Sequence, residues 1–368
     1  MIPVAEPLIG EYELKLVTEA VKSGWVSSKG KFIAEFEEEF AKYIGTEYGI
    51  ATPNGTAALH LALVSLGIGP GDEVIVPTLT FAAVANAVIY VRAKPVFVDS
   101  HPDYWCIDPN KIEEKITKRT KAIIPVHLYG HPCDLEFVIE AARNHELYVV
   151  EDCAEAHGAE YKSKKVGSFG DISCFSFYGN KIITTGEGGM CLTNEEKLAE
   201  RMRVLRDQGM RSEKKYWHEV VGFNYRMTNL QAALGVAQLE KIDEFVRRKR
   251  EIAKTYDSLL KNVRGITLHP EMPWAKNVYW LYSILIHSDN YRINRDELMD
   301  VLGENGVETR SFFYPMHIMP PYKRYVANSQ FPVAEKLSLS GINLPSSVKL
   351  KEEEICKVAR LISHAGIS

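Results

Sequence analysis

The sequence has no long apolar run, no closely paired cysteines and no surplus of positive charge, and each absence removes a class of protein. No stretch of its 368 residues approaches the ~20 consecutive apolar residues of a membrane-spanning helix. The first residues, Met1-Ile2-Pro3-Val4-Ala5-Glu6, hold neither a basic segment nor an apolar one, so no export signal is expected. Six cysteines stand at positions 106, 133, 153, 174, 191 and 356, none at C-x2-4-C spacing. That argues against a zinc ribbon or a disulfide framework and for small buried hydrophobes in a reducing compartment, the cytoplasm. A formal net charge of -4 offers no electropositive footprint, so neither nucleic acid nor a membrane is expected as partner. The local basic run Arg247-Arg248-Lys249-Arg250 reads as a solvated helix face. Low-complexity tracts and internal repeats are also absent.

What is present has the composition of an ordinary soluble chain, with 46% hydrophobic and 25% charged residues. The length points to two domains. Phe32, Phe36, Phe40 and Tyr43 recur at helical spacing, and Thr56 to Leu66 reads as an Ala- and Leu-rich helix stopped by Gly67. Short apolar, β-branched runs lie at Tyr48–Thr52, Glu73–Val76, Pro95–Val98, Ala122–Val126 and Leu147–Val150, interleaved with helical patterns. This is the signature of βαβ units: an α/β fold with a mostly parallel mixed sheet between helices. Ile172–Phe177 and Met190–Thr193 add two strands. A long helix is expected after Thr228, an N-cap candidate, running past Arg250. Beyond it, a strand at Tyr279–Ile286, a helix at Arg295–Gly303 and a strand at Val307–Phe312 suggest a smaller α+β domain. The expected domains are residues 1–245 and 246–368.

Between the last two strands of the larger domain lies Lys181, flanked by the aromatic segment Cys174–Tyr178 and by Thr184-Thr185-Gly186-Glu187-Gly188-Gly189. A lysine held in such a turn suits Schiff-base chemistry with a carbonyl compound. Asn54-Gly55-Thr56 joins a strand end to a helix start, where free N–H groups form an anion site or merely a capped helix. It is not a Walker loop; the nearest candidate, Gly24 to Gly30-Lys31, has one residue too many and Phe32 in place of Ser or Thr. Asp152 closes an apolar strand and so stands at the carboxyl edge of the sheet, where α/β folds bind ligands. A carboxylate there can pair with a pyridinium nitrogen; the alternatives are a structural carboxylate or a metal ligand beside Glu155 and His157. No further His or Cys has a recognisable metal-ligand spacing, and no metal is expected. Phe81, after another strand end, is a core residue or a stacker for a flat ring. Ser176, five positions before Lys181, offers a hydroxyl to a phosphate or is simply solvated.

Taken in order along the chain, these residues resemble the pyridoxal phosphate enzymes of fold type I, the aspartate aminotransferase-like fold. The chain as a whole resembles the DegT/DnrJ/EryC1/StrS family of sugar aminotransferases. The likeness rests on Asn54-Gly55-Thr56, Pro77-Thr78-x-Thr80-Phe81, His127-Leu128-Tyr129-Gly130, Glu151-Asp152-x-Ala154-Glu155-Ala156, Ser176-Phe177-x-x-x-Lys181, the Thr184–Gly189 run and Gly222-x-Asn224-Tyr225-Arg226-Met227. The resemblance implies pyridoxal 5'-phosphate bound to Lys181, with Asp152 at the ring nitrogen, Phe81 on the ring, and Gly55, Thr56 and Ser176 at the phosphate. Glu155, where many members carry Gln, would join the cofactor contacts, and Asn224 would reach the cofactor of a second subunit in a homodimer with shared active sites. Similarity at Gly24–Gly30, Gly179-Asn180-Lys181-Ile182, Tyr216-Trp217-His218 and Pro315–Tyr322 points to the branch acting on GDP-4-keto-6-deoxy-D-mannose. The implied reaction is C4 transamination of that keto sugar, with glutamate as donor and 2-oxoglutarate as its product. A UDP- or dTDP-linked keto sugar is the alternative substrate. Substrate contacts are expected from Trp25, Ser27, Arg310 and His317, although Trp25 also suits a core and His317 an interface. Sugar dehydratases on this scaffold replace the lysine with histidine, so Lys181 argues against that activity, and the intact set of cofactor residues argues against a non-catalytic regulator.

Overall fold

The computed structural model describes residues 1–210, 214, 216–326 and 329–366. Nine strands lie between residues 48 and 193: β1 (Tyr48–Thr52), β2 (Glu73–Pro77), β3 (Lys94–Val98), β4 (Thr120–Ile123), β5 (Tyr148–Asp152), β6 (Glu160–Tyr161), β7 (Lys164–Lys165), β8 (Ile172–Ser176) and β9 (Gly189–Thr193). Seven of them form one sheet in the order β1-β9-β8-β5-β4-β2-β3. Neighbours from β3 across to β8 are parallel, while β9 runs antiparallel to both β8 and β1. β1 therefore points the same way as β8, and the ends of β1, β2, β5 and β8 meet at one edge. Helices cover both faces, which is why β2, β8 and β9 are buried along their whole length.

The phenylalanine stripe forms as its spacing predicts. Helix Lys31–Ile44 buries Phe32, Phe36 and Phe40, and Phe40 packs edge-on to Phe175 and Phe177 with ring centroids 4.9 and 5.1 Å away. Thr228 caps the next long segment through a reciprocal pair with Gln231. The expected single helix is two, Asn229–Leu239 and Ile242–Leu260, separated at Glu240 and Lys241. Lys241 turns out of the helical path to pair with buried Glu13 of helix Glu11–Lys22 at 2.8 Å.

Among the described residues, five further strands follow: β10 (Ile266–Thr267), β11 (Ala275–Lys276), β12 (Tyr282–Ile286), β13 (Arg310–Ser311) and β14 (Gly341–Leu344). β10-β12-β14-β13 form an antiparallel sheet, and β11 joins β6 and β7 in a third. A second hydrophobic core gathers on this sheet around Tyr256, Tyr282, Ile284, Leu298, Ile342 and Ile362. The partition is not sequential: Ile2 joins this core, whereas Phe312, Met316 and Phe331 pack into the first. A division near residue 245, proposed from the sequence, falls inside Ile242–Leu260.

The basic run is not a solvated face. Lys249 is buried, and its amine donates to the Trp280 and Ser346 carbonyls at 3.0 and 2.8 Å. Arg250 pairs with Glu271 and with the Asn277 carbonyl, and Arg248 reaches the Leu350 carbonyl. Arg248, Lys249 and Arg250 tie the helix to the segments flanking the second sheet, while Arg247 stays exposed beside Glu251. Burial draws the Lys249 amine down to about 7, against about 10.4 for an unfolded lysine. Between those values the unfolded chain holds more protons, so this position's contribution to stability rises with pH and is lost as pH falls toward 7. Lys249→Met should flatten that dependence by up to about 1.4 kcal/mol per pH unit. The comparison is between urea unfolding free energies of variant and parent at pH 7.5 and pH 9, and parallel pH trends in the two proteins would refute it.

Candidate active site

The shared strand edge brings four sequence-distant segments side by side. Gly189, first in β9, is paired with Thr52 on one side and with Ser176 on the other. A Cβ at Gly189 would lie 2.5 Å from the Asn54 backbone, and one at Gly55 would lie 2.8 Å from the Ser176 Cβ. Only glycine permits this close approach. It sets the start of helix Gly55–Ser65 directly against Ser176. Asn54 takes up the Ala57 N–H through its side chain at 2.8 Å and the Ala58 N–H through its carbonyl at 3.2 Å. The Gly55 and Thr56 N–H groups, first in the helix, are left for a ligand. Together with Ser176 they form an anion cradle at one end of a cavity of about 810 Å³.

Lys181 enters this cavity from the turn between β8 and β9. Its N–H donates to the Tyr178 carbonyl at 3.0 Å, and Tyr178 and Gly186 bridge to close the turn. The Lys181 amine lies 3.8 Å from Glu155 and 3.8 Å from the centre of the Trp280 ring. Burial lowers the amine's basicity; Glu155 and Asp152 restore part of it, and the charge of Arg310 removes some again. Asp152 is buried at the end of β5 and accepts the Ala154 N–H at 3.0 Å. Burial raises its pKa, against the pull of that N–H, Lys181 and His127. Burial also pushes Glu155 up to about 7, opposed by Lys181 and by the Tyr129 N–H. A weakly basic amine thus faces two reluctant carboxylates, an arrangement suited to moving protons near neutrality.

Tyr129 holds this group together. Its backbone is left-handed, with φ at +53°. That places its N–H 2.8 Å from Glu155 Oε2, while its hydroxyl accepts the Phe313 N–H at 3.0 Å. Its ring lies nearly parallel to those of Phe313 and Trp280. A non-glycine residue in this region costs of order 1–3 kcal/mol, which surrounding contacts must offset. Below it, buried Glu151 accepts N–H groups of Gly167, Phe169 and Gly170 at 2.7–2.8 Å. His127 Nδ1 accepts the Cys133 N–H at 2.9 Å, so its other nitrogen donates to Glu151 at 3.2 Å. His127, Glu151 and Cys153 are close enough to hold a metal, but the donor atoms of the first two are already committed to hydrogen bonds.

Gly55, Thr56, Phe81, Asp152, Glu155, Ser176, Lys181, Asn224 and Arg310 all line the one cavity. Phe81 stands at its mouth, 59% exposed, with its ring 5.9 Å from that of Phe313. Asn224 lies on the wall of its own chain's cavity and accepts the Arg226 Nε–H at 3.0 Å. The other three expected contacts lie elsewhere. Trp25 borders a separate pocket of about 500 Å³. It and Ser27 are held there by Asn229, whose N–H donates to the Ser27 carbonyl and whose amide donates to that of Trp25, at 2.6 and 2.7 Å. His317 is buried between Thr78, at 2.8 Å, and Glu335, at 3.0 Å, and joins the loop after β2 to helix Pro332–Ser340. Residues whose role was not singled out from the sequence also line the wall, among them His60 and Tyr90 and, from beyond the long helix, Trp280 and Phe313. Their only sequence signal is aromatic character.

Glu151 tests how far the site rests on its hidden support. Burial alone would raise its pKa, but His127 and the N–H groups hold it below its ordinary value. Glu151→Ala leaves those donors without an acceptor and should cost at least about 3 kcal/mol. Urea unfolding measures this; a loss below 1 kcal/mol would contradict the assignment.

The model of the DegT/DnrJ/EryC1/StrS aminotransferase family matches residues 7–363. The GDP-perosamine synthase of Escherichia coli O157:H7 is 48% identical over 364 residues, covering 99% of this chain and 98% of its own. That of Caulobacter vibrioides is 48% identical, covering 97% and 96%. Among solved structures, Streptococcus pneumoniae Spr1654 in its PLP form superposes with a TM-score of 0.93 at 27% identity, covering 98% of this chain and 97% of its own. The chain belongs to the DegT/DnrJ/EryC1/StrS aminotransferase family.

Proposed function

We propose that this chain transfers an amino group from glutamate to C4 of GDP-4-keto-6-deoxy-D-mannose, with pyridoxal 5'-phosphate as cofactor, forming GDP-perosamine. The observation that carries the chemistry is the Lys181 amine, buried within 4 Å of both Glu155 and the Trp280 ring and beside Asp152. The choice of sugar is supported by the two synthases that share 48% of this sequence over nearly its full length.

The residues present fit the cofactor that the family and the PLP-form neighbour imply. The Gly55–Ser176 approach leaves a glycine-lined cradle at a helix N-terminus for its phosphate. Asp152 can hold a proton on the ring nitrogen, and doing so relieves the cost of a buried, half-satisfied carboxylate. Phe81 offers an exposed face to the ring. When bound, the cofactor supplies a carbonyl for the lysine and a ring that withdraws electrons from the adjoining carbon. With the cofactor bound, the Lys181 amine would take the proton from the donor's α-carbon, a role that its lowered basicity favours. Glu155 lies within reach to hold or release a proton at the same amine. The second half of the reaction runs these transfers in reverse on the keto sugar.

We also propose a homodimer in which each copy helps to close the other's cavity. Support comes from the exposed aromatic side chains of Phe81 and Tyr178, which both line the cavity and which a second copy would help to cover. A second copy would also give Trp25 and Ser27 a site to act on.

Lys181→Ala should abolish turnover while retaining cofactor without a covalent bond, and normal turnover would sink the mechanism. Asp152→Asn should lower kcat by at least about a hundredfold with little loss of folding stability; near-normal kinetics would remove Asp152 from its role. Mass spectrometry of products from GDP-, UDP- and dTDP-linked 4-keto-6-deoxy sugars tests the substrate, and amination of a UDP or dTDP sugar in preference would overturn the GDP assignment.

A further inference from the structure

Trp280 stands just before β12 and is held from both sides. Lys249 donates to its carbonyl at 3.0 Å, and its indole N–H donates to the Asn180 carbonyl at 2.8 Å. The second bond ties the ring to the residue before Lys181, so ring and lysine keep a fixed relation. The tryptophan is buried, and its ring turns a face to the Lys181 amine, 3.8 Å from the ring centre. That distance makes a cation–π contact, for which indole is the best of the aromatic side chains. The neighbouring carboxylate is placed differently. Glu155 Oε1 stands 3.8 Å from the amine, too far for a hydrogen bond, and Oε2 is committed to the Tyr129 N–H. Burial lowers the basicity of the amine, and Glu155 and Asp152 restore only part of it.

We propose that Trp280 takes part in the proton transfer: its indole face holds Lys181 as an ammonium between accepting a proton and returning it, a role that rests on the aminotransferase reading above. The proton leaves the donor's α-carbon and forms the third N–H bond of Lys181. The electron pair of the broken C–H bond stays with the carbon. A positive charge then stands on a buried nitrogen, which is costly without a partner. A carboxylate at hydrogen-bond distance would lower that cost, but it would also favour the charged amine and lock the proton in a salt bridge. The indole offers another course. Its electron-rich face attracts the cation, while its nitrogen is a donor only and has no basic lone pair to take the proton away. The indole N–H lies in the ring plane and is spent on Asn180, which leaves the face to the ammonium.

Competitive labelling with a trace of acetic anhydride, followed by mass spectrometry of the peptide that carries Lys181, reads the protonation of this amine in the full-length, cofactor-free chain as a function of pH. Only the neutral amine reacts, so loss of support for the ammonium moves the half-maximal pH downward. Trp280→Leu should lower it by at least about half a pH unit. Replacing the five tryptophans by 5-fluorotryptophan keeps their shape and N–H groups but draws electrons from the ring faces, and should lower it by a smaller step. An unchanged half-maximal pH in Trp280→Leu would overturn the proposal. So would a shift in Trp280→Leu with none in the fluorotryptophan protein, which would assign the effect to packing. If the leucine variant does not fold, the fluorotryptophan protein decides alone, and no downward shift there refutes the proposal. In the cofactor-loaded fluorotryptophan enzyme, saturating glutamate should bleach the cofactor absorbance more slowly than in the parent, and a parental rate would remove Trp280 from the proton transfer. Failure of the aminotransferase reading shows itself separately, as a parent enzyme whose cofactor absorbance glutamate does not bleach.

Discussion

The structure is organised around the cost of removing one lysine amine from water. Lys181 is buried without a close counter-ion; its nearest carboxylate oxygen is 3.8 Å away and its other neighbour is the face of an indole. An ammonium in such a place is expensive, and the amine responds by becoming less basic. The same burial makes Asp152 and Glu155 reluctant to ionise. No member of the group is settled by a tight salt bridge, which would freeze the proton in one place. Burial shifts the amine down and the two carboxylates up, toward one another, and that suits shuttling protons rather than storing them.

Keeping the group in this poised state demands rigidity elsewhere. Glu155 is aimed by the Tyr129 N–H, which is available only because Tyr129 adopts a left-handed backbone. That conformation is offset by the hydroxyl's bond to Phe313 and by three aromatic neighbours. Glu151, adjacent in sequence to Asp152, is fully satisfied by three N–H groups and His127. Two neighbouring carboxylates therefore have opposite fates: one is tied down with its pKa lowered, and the next lines the cavity with its pKa raised by burial. The β-strand period of two sends them to opposite faces of β5 and makes that division possible.

The fold was legible where a local pattern decides it. Tyr48–Thr52 ends where its apolar run ends, and Thr228 caps its helix by a side-chain bond within one turn. Lys181, Asp152, Thr56 and Ser176 were legible because strand ends in an α/β sheet share an edge, so sequence position alone brings them together. What the sequence concealed were long-range pairings. The break at Glu240–Lys241 contains neither glycine nor proline; it follows from a partner, Glu13, more than two hundred positions away. Lys249 looks like one more surface charge, and only the two carbonyls that reach it from Trp280 and Ser346 show otherwise. His317 has the chemistry of a substrate contact, but Thr78 and Glu335 occupy both its ring nitrogens. The cavity wall from beyond the long helix was hidden for the same reason: Trp280 reaches Lys181, and Phe313 the same cavity, by tertiary packing.

Lys249 connects the helix Ile242–Leu260 to the chemistry. Its amine holds the Trp280 carbonyl, the Trp280 indole N–H donates to the Asn180 carbonyl at 2.8 Å, and Asn180 is the residue before Lys181. The ring of the same tryptophan lies against the Lys181 amine. A shift of helix Ile242–Leu260 relative to the main sheet would therefore move the tryptophan, the turn and the reactive amine together. Both charge states of Lys249 retain N–H donors for the two carbonyls, so the tie survives the titration that burial brings close to neutral pH. Helix Ile242–Leu260 thus does more than support the second sheet. It sets the surroundings of the lysine through a chain of hydrogen bonds, so its packing and the basicity of Lys181 are parts of one problem.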